Sequence, residues 1–186
     1  TYSLGENQVD AIFNSSYSKE RLEIGWYPTT NKQHSGPVDK DRRLTTISYS
    51  LYANKNSAFK WNGKPENISE TIGAPMGYSI VNDLKNKGVK VEEAQDSMTN
   101  LMKVAKGRIG AAALQEVTAD ALLKSNKKDF ASIKKLTPPV AAKEYYLMLS
   151  KKFVQENPVL AQKIWDTIKQ IREKEYKNLS VKYSKV

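Results

Sequence analysis

Hydrophobic and polar positions along this chain change period many times, and the changes divide it into short elements. Residues 46–53 alternate β-branched and aromatic side chains with polar ones at period two, as a strand with one buried face does. Residues 96–106 place Leu101, Val104 and Ala105 on one helical face, with Asp96 or Ser97 as N-cap and Gly107 as terminator. Further strands are predicted at 9–13, 22–27, 70–74, 89–92, 108–114, 130–136 and 144–150. Further helices are predicted as a tail over 4–8, a segment from Tyr78-Ser79 to a stop at Gly88, residues 117–124, and a final helix opening at Asn157-Pro158. In that last helix Leu160, Ile164, Ile168 and Ile171 form the expected buried stripe. Residues 29–43 and 54–67 read as polar loops. Strands alternating with helices predict an α/β fold with largely parallel pairing.

The length of 186 residues allows one domain or two small lobes with a real core. The hydrophobic share of 39% and charged share of 27% are those of a globular chain rather than a disordered one. With no cysteine, disulfides and thiolate metal sites are excluded, whereas periplasm and cytosol both stay open. The one histidine, His34, lies in a Gly/Pro/Lys-rich loop and reads as a solvated residue, because a metal site needs clustered ligands. No metal and no cofactor is expected.

The net charge of +10 raises nucleic acid, acidic membranes and anionic solutes as partners. The lysines are dispersed in pairs such as Lys127-Lys128 and Lys134-Lys135, and no helix-turn-helix, RNP or zinc pattern accompanies them. A solvated surface is therefore the expectation, with Lys40, Arg42 and Arg43 part of it, and no nucleic-acid partner. No apolar run reaches the ~20 residues of a membrane span. The chain opens on Thr1 without a signal-peptide pattern, so its numbering is expected to begin after processing or truncation.

Two segments suit the binding of an anion. Residues 9–21 run from a strand through Ser15 and Ser16 to Arg21, whose planar guanidinium fork matches a carboxylate. Gly77, Tyr78 and Ser79 open a helix, where unpaired N–H groups and the positive helix end favour negative charge. The plainer readings are a surface arginine paired to Glu20 or Glu23, turn chemistry at the serines, and Ser79 as a cap. Trp26 and Tyr27 stand close in sequence to the first segment, although aromatic residues at a strand end more often belong to a core.

The order of four segments resembles the type II periplasmic solute-binding proteins of ABC transporters, in particular their amino-acid-binding branch (solute-binding family 3). These are "VDAIFNSSYSKER", "TIGAPMGYS", "LMKVAKGRIGAAALQE" and "EYYLMLSKKF". Together they cover nearly the whole chain. The resemblance implies a bilobed periplasmic-binding-protein-like α/β fold (type II) with the first lobe incomplete. Residues 1–48 and 137–186 would form that lobe, and 49–136 the second. It implies hinges near 48–53 and 136–142, and a small solute, an amino acid or related carboxylate, captured between the lobes. Arg21, Ser15 and Ser16 would hold the solute from one lobe, and Gly77, Tyr78, Ser79, Gln115 and Glu116 from the other. A membrane permease as partner, a periplasmic location and no enzymatic activity come with the same resemblance.

Two departures stand out. The family's opening strands are missing, so Ile12, Phe13, Leu147, Ile164 and Ile168 are expected to need cover from another copy, a domain swap or an absent segment. Amino-acid binders also usually carry a carboxylate just after the "G-R-I-D-A" strand. Here Gly110 replaces the usual Asp of that motif, and Gln115 and Glu116 occupy the carboxylate's neighbourhood. If Glu116 faces the solute an α-amino group is served; if Gln115 does, an α-amino acid is in doubt. The alternatives to a transporter component are a sensor domain of the same fold, a dehydratase-like enzyme using Glu116, and a nucleic-acid-binding protein.

Overall fold

The computed structural model describes residues 2–6, 8–31 and 34–183, and the side chains of these up to residue 175 apart from Tyr2. In chain order its elements are α1 (Tyr2–Gly5), β1 (Ala11–Ser16), β2 (Gly25–Trp26), β3 (Thr45–Asn54), β4 (Ile72–Pro75), α2 (Ser79–Lys85) and β5 (Val91–Ala94). There follow α3 (Ser97–Ala105), β6 (Ala111–Gln115), α4 (Glu116–Ser125), β7 (Ile133–Lys135), β8 (Ala141–Ser150), α5 (Lys151–Glu156) and α6 (Pro158–Tyr183). The chain divides into two compact units, Thr1–Thr46 with Glu144–Val186, and Ile47–Lys143.

The second unit is built on β6, three of whose residues are alanine. Ala111, Ala112 and Ala113 are fully buried, with β3 on one side and β4 on the other. β4 runs parallel to both β5 and β6, whereas β3 is antiparallel to β6 and to β7. The pairing is thus mixed rather than largely parallel, because strands 45–54 and 133–135 return against the direction of the βα units. Tyr52, Leu101, Val104, Leu114, Ala119, Phe130 and Ile133 close one face. On α3 the Asp96 carboxylate accepts the Thr99 N–H at 2.7 Å, and Gly107 leaves in the left-handed region at φ +67°, as the sequence pattern predicts.

In the first unit the structure departs from the sequence pattern in several features. Residues 22–27 are not a full strand: a 3-10 turn, Glu20–Glu23, precedes the two-residue β2. The stripe on α6 is rotated. Ala161 and Trp165 are fully buried with Leu149 and Val154, Ile168 packs beside them, and Leu160 and Ile171 are exposed. Trp165 outweighs Leu160 and Ile171 here, since one indole buries more apolar area than either. The separate helix α5, capped by Ser150 Oγ accepting the Phe153 N–H at 3.1 Å, joins the predicted strand directly to α6.

The predicted strand 9–13 lies two residues later, at β1. Asn14 takes a left-handed conformation, φ +63°, and the register with β8 shifts between Ile12 and Ser15. The bulge breaks the in–out alternation. Phe13 is left 71% exposed, while Ser15 and Ser16 are both buried. Of the other residues expected to need cover, Ile12 packs against Leu4 and Tyr27, and Leu147 and Ile168 pack against the Trp165 cluster.

His34 and Arg42 are not solvated. The His34 ring stacks on Trp26, centroids 4.6 Å apart and 2° from parallel, and meets Trp165 edge-on at 5.7 Å. Arg42 is 8% exposed; it donates to Asp39 Oδ2 at 2.9 Å, to Gln162 Oε1 at 2.7 Å and to the Thr29 carbonyl, above the Trp165 ring. Arg42 thereby ties the loop to α6, with its charge answered by Asp39 and Gln162.

Burial holds the His34 pKa below its ordinary 6.5, and the Arg42 charge adds to this against a hydrogen bond to the Tyr27 backbone. A histidine kept neutral by the fold stabilises it above its unfolded pKa. That contribution is lost as the pH falls from about 6.5 toward the lowered value. Unfolding free energy measured between pH 7.5 and 5 should therefore drop more in the wild type than in His34→Phe. Equal slopes would show that the stack does not sense the proton.

Candidate functional site

In the first unit three of the sequence-predicted residues come together. The bulge at Asn14 turns the hydroxyls of Ser15 and Ser16 inward at the carboxyl end of β1, and Glu20–Glu23 brings Arg21 back over them. Arg21 Nη1 donates to the Ser16 carbonyl at 2.8 Å, with the Ser15 and Ser16 hydroxyls each at 3.3 Å. The guanidinium is half-buried and thereby fixed in place.

Tyr27 completes this cluster, and the sequence did not assign it a polar role. Its ring is fully buried in the core, and its hydroxyl donates to the Ser16 carbonyl at 2.7 Å and stands 3.1 Å from Ser15 Oγ. Burial raises its pKa, against the hydrogen bond with Ser15 and the Arg21 charge, so it remains a proton donor. Trp26 belongs to the core cluster of His34 and Trp165.

The remaining predicted residues lie in the second unit. Because β4 and β6 are parallel neighbours, the turn after β4 and the end of β6 emerge at the same edge of the sheet, the carboxyl edge where α/β sheets take ligands. Gly77 has φ +75°, and no atom stands within 4 Å of where a side chain would begin. Its N–H donates to Glu93 Oε2 at 3.4 Å. Tyr78, not Ser79, occupies the N-cap position of α2, and its side chain is exposed. Ser79 Oγ accepts from Lys143 Nζ at 2.6 Å, and the same ammonium pairs with Asp83.

At the β6 end, Gln115 Nε2 donates to the Tyr49 hydroxyl at 3.1 Å. Glu116 is engaged within its own unit. Ser50 Oγ donates to its Oε1 at 2.6 Å, and Lys135 Nζ stands 3.9 Å from Oε2. Asp120, one helical turn further, accepts from Tyr52 at 2.7 Å and from Lys135 at 2.6 Å. Burial and the Asp120 carboxylate both raise the Tyr52 pKa, which keeps its hydroxyl a donor. Among the described residues no group of three or more His, Cys, Asp or Glu is arranged to hold a metal ion.

No family model matches the chain, and no curated protein matches it. Solved structures do. An ancestral arginine-binding protein bound to arginine aligns over 98% of this chain and 74% of its own, with 17% identity and a TM-score of 0.70. The GluR0 ligand-binding core in complex with L-glutamate aligns over 91% and 74%, with 12% identity and a TM-score of 0.65. A histidine kinase sensor domain with similarity to periplasmic binding proteins aligns over 91% and 72%, with 13% identity and a TM-score of 0.62. The fold is therefore the α/β fold of type II periplasmic binding proteins.

Proposed function

We propose that this protein captures a small carboxylate-bearing solute, an amino acid or a related acid, without converting it. The observation that carries the reading is Arg21, half-buried and anchored through Nη1 to Ser16 beside two buried serine hydroxyls. In this reading a solute carboxylate meets the Arg21 fork, with Ser15 and Ser16 as neighbouring hydrogen-bonding groups. Gly77, Tyr78, Ser79, Gln115 and Glu116 meet the remainder of the solute. The solved structures of the same fold support it by what they hold, arginine in one and L-glutamate in another.

The role that suits such capture is delivery to a membrane permease of an ABC transporter, from a periplasmic location. The sensor-domain likeness favours a second reading, in which the same capture feeds a signalling partner. Uptake of labelled solute by cells lacking the protein separates the two, because only the first requires it for transport.

A thermal-shift screen of amino acids and small carboxylates tests the capture itself. A true solute at a hundred times its Kd should add about 2.7 kcal/mol to stability, and mass spectrometry should recover it unchanged. A panel in which no acid shifts the transition would remove the reading.

A further inference from the structure

Cations that are dispersed along the sequence of the second unit are gathered by its fold at one edge of the sheet. β4, β5 and β6 run parallel, and β7 runs with them, because β6 and β7 are both antiparallel to β3. The segments that enter these strands therefore meet at the amino edge, and backbone bonds hold them side by side. The Ile72 N–H donates to the Lys90 carbonyl at 2.9 Å, the Gly110 N–H to the Thr71 carbonyl at 3.0 Å, and the Lys55 N–H to the Ser132 carbonyl at 2.7 Å. Asn54 Nδ2 donates to the Ala105 carbonyl at 3.3 Å, which ties the end of α3 to the same edge.

Lys87 and Lys90 lead into β5, Lys106 and Arg108 into β6, and Lys127 and Lys128 into β7, and all six are exposed. Among the described residues no carboxylate pairs with any of them. Elsewhere in the unit lysines do answer carboxylates: Lys85 that of Glu93, Lys103 that of Glu92, Lys135 that of Asp120 and Lys143 that of Asp83. The entering segments carry fewer acids than bases, with Glu66 and Glu70 ahead of β4 and Asp129 ahead of β7. Strands about 4.8 Å apart spread this excess of positive charge over about 20 Å, from β5 to β7. Phe59 and Phe130, the aromatic side chains packed at this edge, are buried, so neither offers a ring for a base to stack on or an anchor for a protein partner. All but Arg108 are lysines, flexible and hydrated point charges that suit a field of headgroup phosphates better than one fixed acceptor.

We propose that the amino edge of the second unit rests on an anionic lipid surface. The contact is peripheral and electrostatic, and it weakens as salt screens it. Gly77, Tyr78 and Gln115 lie toward the opposite, carboxyl edge of the same sheet and stay clear of the lipid. The inference stands on the charge of this unit alone and does not depend on the solute reading.

Cosedimentation of the full chain with vesicles tests this, using phosphatidylcholine alone and phosphatidylcholine mixed in equal parts with phosphatidylglycerol. The wild type should bind the mixed vesicles, release them as salt is raised, and ignore phosphatidylcholine. The double substitutions Lys106→Gln with Arg108→Gln, and Lys127→Gln with Lys128→Gln, should each weaken binding about thirtyfold. Their side chains are exposed, so the thermal transition of both variants should stay where it is. Lys152→Gln with Lys163→Gln removes the same charge from exposed positions of the first unit and should bind like the wild type. Equal binding to both kinds of vesicle overturns the inference. An equal loss in the control variant overturns it too, because net charge alone would then drive the binding. Binding to duplex DNA that exceeds binding to the mixed vesicles at the same salt would make this edge a nucleic-acid face and overturn it as well.

Discussion

Arg21→Ala should weaken solute binding by about a hundredfold or more. Two charge-assisted hydrogen bonds to a carboxylate are each worth about 1.5–3 kcal/mol, and alanine removes both. Arg21→Lys should also bind weakly, because an ammonium cannot reproduce the planar fork. Both variants should stay folded. The Ser16 carbonyl that Arg21 holds keeps its 2.7 Å bond from the Tyr27 hydroxyl, so the loss in stability is limited to about 1 kcal/mol. Titration of the two variants with a solute identified by the thermal screen checks this. Affinity unchanged in Arg21→Ala would make the arginine a structural clip for the Ser15-Ser16 corner and nothing more.

Trp165→Ala should produce the largest loss of stability in the chain. The indole is fully buried, its Nε1 donates to the Leu147 carbonyl at 2.9 Å, and His34 and Arg42 pack on its ring. Removing it leaves a cavity, an unanswered carbonyl and a loop without its floor, a combined cost of about 3–5 kcal/mol. Residue-resolved hydrogen exchange on the full chain should show opening free energies falling by that amount in β8 and α6. Amides of β4, β5 and β6 should change little, since no residue of theirs packs in the Trp165 cluster. A uniform small loss in all strands would contradict the assignment of Trp165 as the centre of this core.

Helix ends and strand existence were legible where local chemistry decides them. Asp96 and Gly107 bound α3 as their types predict, and β3 is one residue longer at each end than its period-two run. What the sequence hid depends on long-range partners. The side chain of Arg42 looks solvated until Asp39, Gln162 and the Trp165 ring are brought around it. The period of α6 favours four aliphatic residues, and only the fold reveals that a single indole sets the buried face. The bulge at Asn14 was also hidden, though asparagine is the residue type that tolerates it.

The candidate site was legible in part for the same reason. Arg21, Ser15 and Ser16 are close in sequence, and the structure brings them together. Tyr27 was raised only as an aromatic residue that more often belongs to a core; its ring is buried there, and only the structure brings its hydroxyl to the Ser15-Ser16 corner. The pairing of Glu116 with Ser50 and Lys135 is a contact between distant segments, which spacing along the chain does not reveal.

The most direct measurement is the NMR signal of the Arg21 guanidinium while a small carboxylate found by the screen is titrated into the full chain. Capture by the clamp predicts that the Arg21 Nε and Nη resonances shift and sharpen in step with saturation, and that Arg42, enclosed by its own partners, does not follow. Saturable binding with the Arg21 signals unmoved would contradict the account.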